Sequence, residues 1–159
     1  MATITQNTVG ANQFGGATPY GNLTTIRATL ETGASGGSTN GSSADPITAG
    51  DEVVLAELPE GMVLEDAQIV VSTGMSSGVT GKLGFKYVDG VDSSDVPQDD
   101  DYFFSGQSLS ATARERTSST EAPVKLPKPA YLVLTVAGAD NEKASRIDFI
   151  VHGERMGPA

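Results

Sequence analysis

The sequence predicts an all-β protein: an antiparallel β-sandwich, jelly-roll-like, of about eight strands, with an extended N-terminal arm. Three observations carry this. Apolar and polar residues alternate over one short stretch after another, the period of a half-buried strand, and no helical period outlasts a single turn. Glycine and proline punctuate those stretches, with 19 Gly and 8 Pro in 159 residues, and both residue types favour turns. Two connections, 32–49 and 89–101, are long, which suits a jelly roll or Greek key better than a simple meander.

From the N-terminus, residues 2–9 (Ala2, Thr3, Ile4, Thr5, Gln6, Asn7, Thr8, Val9) mix β-branched and polar residues ahead of a glycine-rich stretch around Phe14. They read as an extended arm on a flexible link, with an ordinary edge strand as the alternative. Fully extended, the arm reaches roughly 26 Å. Residues 1–20 are therefore divided from a sandwich body at 21–159.

The body begins with a strand over 22–31, with Ile26, Ala28 and Leu30 on one face and Thr25, Arg27 and Thr29 on the other. The Gly/Ser-rich run that follows, 32–45, has no apolar period and is expected to be exposed and mobile. A strand over 51–58 puts Val53 and Leu55 inward. Pro59-Glu60-Gly61 supplies a turn, and a strand over 62–72 carries Leu64, Ala67, Ile69 and Val71. The step from Leu64 to Ala67 breaks strict alternation and predicts a bulge at Glu65-Asp66. In 81–88, Leu83, Phe85 and Tyr87 face inward and Lys82 and Lys86 outward.

An acidic loop then runs from Asp89 to Asp101. Tyr102-Phe103-Phe104 and 108–111 are expected as short strands. The three prolines of 123–129 confine that stretch to an edge or a connector, because proline cannot donate to a ladder. Strands over 130–137 and 146–154 close the body, the last with Ile147, Phe149 and Val151 inward.

Composition narrows the function. Counting glycine, the apolar share is about 47%, within the globular norm. There are no cysteines, so disulfides and thiolate metal sites are excluded. No apolar run approaches the roughly 20 residues of a membrane span, and the first residues lack the basic-then-apolar pattern of a secretory signal. The expectation is synthesis in a cytoplasm. A net charge of −10 disfavours phosphate backbones, whose binding requires Lys and Arg, so no nucleic-acid partner is expected.

Catalysis has little to stand on. The single histidine, His152, falls on the outward side of the last strand, and a triad needs a base beside its nucleophile. The aspartates of 89–101 lack the D-x-D-x-D-G order of an EF-hand and read as a solvated, self-repelling loop. No enzyme, cofactor or metal site is expected.

The stretch Ala49 to Ala67 combines a strand, a Leu-Pro-x-Gly turn and a strand reaching Asp66-Ala67. It is followed by Thr80-Gly81-Lys82-Leu83-Gly84-Phe85-Lys86-Tyr87-Val88-Asp89-Gly90. With the Ala-Thr-Ile-Thr-Gln-Asn-Thr opening and the Gly/Ser loop, these residues resemble the small jelly-roll cement, or head-decoration, proteins of tailed phages. The resemblance implies a virion protein on the outer surface of an HK97-type shell. It would bridge adjacent subunits of the major capsid protein as a homo-dimer or homo-trimer. Ala2 to Val9, Phe14 and Tyr20 are the expected contacts with capsid or partner subunit. The competing expectation is a receptor- or carbohydrate-binding module of a phage fibre or adhesin, for which Tyr102-Phe103-Phe104 is the best aromatic patch.

Overall fold

The computed structural model describes residues 2–6 and 23–157. Among them ten strands form and no helix. Sheet 1 has the order β1 (Thr3–Thr5), β3 (Glu52–Leu58), β9 (Ala130–Ala137), β5 (Thr80–Tyr87), β6 (Asp99–Ser108). Sheet 2 has the order β2 (Leu23–Thr32), β10 (Ser145–Arg155), β4 (Met62–Thr73), β7 (Ala113–Arg116), and β8 (Val124–Lys125) also pairs with β4. Every pairing is antiparallel except that of β1 with β3.

The alternation read from the sequence sorts the strands into a shared core. Ile26, Ala28, Leu30, Ala67, Ile69, Val71, Ile147, Phe149 and Val151 of sheet 2 are buried in one cluster with Val53, Leu55, Leu83, Phe85, Leu132, Leu134 and Val136 of sheet 1. Each large member contributes about 1.5–3 kcal/mol relative to exposure. The bulge forms where expected: His152 faces Asp66 and Gly153 faces Leu64, so Glu65 is left over. A second register shift, beside Ser72, had no sequence signal. The 59–61 turn closes with Met62 N–H donating to Pro59 C=O at 3.2 Å, and Gly61 supplies the left-handed φ of 75°, which glycine adopts without steric cost.

Four expectations are corrected. Seven of the eight expected strands form, and the three others are β7 together with β1 and β8, the last two of three residues or fewer. The 108–111 strand does not form: Ser108 ends β6, and Leu109 is held instead by the 75–79 turn, donating to Val79 C=O and accepting from Met75 N–H. The strand that follows is β7, an edge strand whose Ala-Arg-Glu-Arg sequence has no apolar alternation to reveal it. Asp99, Asp100 and Asp101 belong to β6 rather than to a loop.

The Gly/Ser run is built rather than loose. Bridges join Thr32 with Ser38 and Gly37 with Pro46. The fully buried Asn141 donates through Nδ2 to Thr32 Oγ1 and to the carbonyls of Gly36 and Lys143, and its Oδ1 accepts from Ser76 N–H. One side chain thus ties three connections at one end of the sandwich.

Candidate functional site

The N-terminal segment lies on the chain's own body. β1 adds to the edge of β3 in parallel, with Thr3, Ile4 and Thr5 opposite Glu52, Val53 and Val54. Glu52 N–H donates to Ala2 C=O and Gln6 N–H to Val54 C=O. Ile4 enters the core and Gln6 is buried, its Nε2 donating to Ser38 Oγ at 3.2 Å, while Ala2 and Thr3 are exposed and Thr5 is half-buried. Of the two readings of residues 2–6, these contacts describe the edge strand. Asn7, Thr8, Val9, Phe14 and Tyr20 lie outside the described residues.

Asp51 fastens this strand. Its Oδ1 accepts Ala2 N–H at 2.8 Å, and its Oδ2 accepts Thr48 N–H at 2.8 Å and Thr48 Oγ1–H at 3.0 Å. Burial opposes the charged form, but the Thr48 and Ala2 donors together hold the carboxyl below its ordinary value.

The outer face of sheet 1 is covered by the chain itself. Gly84 faces outward between the inward Leu83 and Phe85, and a Cβ there would lie 2.0 Å from Asp99 C=O and within 3 Å of the Asp100 and Asp101 backbone. Asp99 pairs with Phe85 and Phe104 with Leu83, so the start of β6 bulges over Gly84 as a strap, and only glycine permits the approach. Lys82 Nζ lies 3.6 Å from both Asp100 and Asp101, and Thr135 Oγ1 donates to Asp100 at 3.3 Å. On the same outward side Val133 is fully buried and Val54 nearly so. A depression of 430 Å³ remains near β1, lined by Thr3, Thr5, Val54 and Tyr131 with the Lys86–Glu52 ion pair in it.

The outer face of sheet 2 has the opposite character. Outward residues of β2, β10 and β4, from Thr25 to Val70 and Ile150, are all half-buried or exposed. Arg27, Arg114, Arg116, Lys125 and Arg146 supply five positive charges there. Glu31, Glu65, Asp66, Asp148 and Glu154 supply five negative ones. The net charge of −10 is therefore carried by the rest of the chain. Arg116 pairs with Asp66 at 2.8 Å, Arg146 with Glu31 and Asp148, and Arg114 with Gln68.

His152 stands on this face between Thr25 of β2 and Asp66 of β4. Its Nδ1 shares a hydrogen bond with Thr25 Oγ1 at 3.1 Å, and the neighbouring Asp66 is engaged by Arg116. The acidic loop also differs from its expectation, because its carboxylates turn on their own chain. Asp89 takes Lys128 Nζ at 2.8 Å and Val91 N–H, and Asp92 takes Ser93 and Gln98 N–H. Lys128 also sits 4.6 Å above the Tyr87 ring. The carboxylate oxygens of Asp99, Asp100 and Asp101 converge within 4.8 Å, where Lys82 supplies the compensating charge. Burial and the adjacent Asp101 and Asp100 carboxylates push the Asp99 carboxyl up. A polar cleft of 690 Å³ opens beside it, lined in part by Asp101, Ser105, Gln107, Ser119 and Glu121.

The aromatic patch expected of a sugar-binding module is absent from the surface. Tyr102, Phe103 and Phe104 are all buried, Tyr102 edge-on to Phe85 and Phe103 at 5.6 and 4.8 Å. The Tyr102 hydroxyl donates to the carbonyls of Leu64 and Ala122, and its burial pushes the phenol up. The sequence reading placed 102–104 in a strand, but that strand runs Asp99–Ser108 and buries all three aromatics. It also missed Asn141, Asp51 and Gly84, whose partners are distant in the chain.

No protein-family model and no curated protein matches the sequence. The fold has solved counterparts. A chain of the capsid of Ralstonia phage GP4 matches with a TM-score of 0.67 at 14% identity, over 99% of this chain and 100% of that one. A chain of the cyanophage Pam1 capsid asymmetric unit matches with a TM-score of 0.56 at 12% identity, over 91% of this chain and 94% of that one. At such identities the likeness is one of fold: this β-sandwich is shared with chains of two phage capsids.

Proposed function

We propose that this chain is a virion structural protein that binds the outside of a phage capsid and cements adjacent major capsid protein subunits, stabilising the head. The observation that carries this reading is the extent of the fold match, end to end in both this chain and a phage-capsid chain. The match spans 99% of this chain and 100% of that one, so it is not confined to one part of the sandwich. Fold alone does not fix function, so the reading draws its remaining support from the surface.

That surface suits attachment rather than chemistry. His152 is bonded to Thr25 on the outward side of sheet 2, and Tyr102, Phe103 and Phe104 are buried. An acidic exterior fits the outside of a head better than its DNA-facing side. As a homo-dimer or homo-trimer the protein gains avidity, since linked weak contacts multiply without a large single interface. In this reading the outward Thr3 and Thr5, with residues 7–9, Phe14 and Tyr20, contact the shell or a partner subunit.

Phage heads assembled without this chain provide the test. Added protein is expected to bind them, to give density at symmetry-related positions on the outer surface by cryo-electron microscopy, and to raise the temperature at which DNA escapes. Absence of binding, or density inside the shell, overturns the proposal.

A further inference from the structure

We propose that the outer face of sheet 2, centred on Val70 and Ile150 and flanked by Arg27, Arg114 and Arg116, is the face that docks on the carboxylate-bearing outer surface of the shell protein. This rests on the cementing role proposed above and names the surface that performs it.

Charge is the first reason. The chain carries −10 overall, yet this face is balanced. Elsewhere the surface repels carboxylates; here an acidic partner meets no net repulsion, and like-charge juxtaposition is a strong selector against wrong docking. Arginine is the second reason. Arg27, Arg114, Arg116 and Arg146, four of the five arginines, point outward from this sheet, whereas the outward cations of sheet 1 are Lys82 and Lys86. Arginine is enriched at protein interfaces and lysine depleted, because the planar guanidinium is weakly hydrated and grips carboxylates with two bonds.

Arg27 is the sharpest indicator. Arg114, Arg116 and Arg146 each have a side-chain partner on the sheet. Arg27 is exposed, and among the described residues its guanidinium has none. It lies in one cross-strand row with Ile150, Gln68 and Arg116. The apolar centre completes the pattern: Val70 and Ile150, both half-buried, lie diagonally on neighbouring strands, Val70 opposite Asp148 and Ile150 opposite Gln68. A small apolar centre within a polar, arginine-bearing rim is the anatomy of a docking surface.

The test uses full-length protein and phage heads lacking it. Wild type is expected to decorate the heads. Arg27→Glu is expected to weaken binding at least tenfold, and Ile150→Lys to do the same through the apolar centre. Lys143→Glu makes the same charge change at an exposed residue off this face and is expected to bind within twofold of wild type. Circular dichroism and thermal melts confirm that each variant is folded. If wild type decorates but Arg27→Glu and Ile150→Lys bind as Lys143→Glu does, the face assignment is overturned and the cementing role stands. If wild type does not decorate, both fall.

Discussion

The outer faces of the two sheets are built from the same kind of strand and put to different uses. On sheet 1 the start of β6 straps over Gly84, Lys82 and Thr135 hold the strap down, and Val133 is sealed from water. On sheet 2 every outward side chain keeps some contact with solvent and the charges balance. A sandwich has two outer faces to dispose of. Here one serves the chain's own folding, and the other is the face proposed above for docking. Substitutions on sheet 1 should therefore register in stability, and substitutions on sheet 2 in attachment.

The largest effect is expected at Gly84. A methyl group there overlaps backbone atoms of Asp99, Asp100 and Asp101, which no side-chain rotation relieves. Gly84→Ala should cost about 2–3 kcal/mol, the scale of overpacking in a close-fitted site, seen as a lower urea midpoint. The matched change on sheet 2, Gln68→Ala, removes one exposed contact to Arg114 and should stay within about 0.5 kcal/mol. Equal losses would mean that the strap is not what stabilises sheet 1.

The contrast also explains what the sequence could and could not show. Period-two alternation is a local signal, and it placed Ile147, Phe149 and Val151 inward and Arg27 outward. The Glu65 bulge was legible because it interrupts that period between Leu64 and Ala67. The strap was not, because Asp99 to Asp101 look self-repelling until Lys82 and Thr135 are brought beside them. The Gly/Ser run looked mobile because its order comes from Asn141, which is separated from Gly36 by 105 positions. Arg27 was visible as an outward cation, but its lack of a side-chain partner among the described residues emerges only when the neighbouring arginines are seen to be paired.

A second, smaller effect distinguishes the two edges of sheet 1 by pH. The Asp51 carboxyl is held below its ordinary value, so its contribution to fastening β1 is present above the unfolded-state pKa and is lost as pH falls through the folded one. Asp99 at the other edge is pushed up, so its charge opposes folding at neutral pH and acid relieves it. Lowering the pH from 7 to 3, once the intrinsic pH dependence of exchange is divided out, should reduce protection of the Glu52 and Gln6 amides several-fold. The same change should leave the β5–β6 pairing no weaker. Asp51→Asn should abolish the pH dependence at β1; its persistence would assign the loss to another carboxylate.

The smallest expected effect bears most directly on the spare face. Arg116 is 72% exposed and Asp66 14% where they pair; with the cation largely in solvent, the pair is expected to be worth about 0–1 kcal/mol. Arg116→Gln should therefore change stability by less than about 0.5 kcal/mol. Lys82→Gln should cost about 1 kcal/mol, because it leaves Asp100 and Asp101 side by side without their shared cation, and the difference should shrink in high salt. Should Arg116→Gln cost as much as Lys82→Gln, the ion pairs of sheet 2 would be holding the fold as those of sheet 1 do. The arginines would then be committed to the chain itself, and the reason for reading that face as a docking surface would be reduced to Arg27 alone.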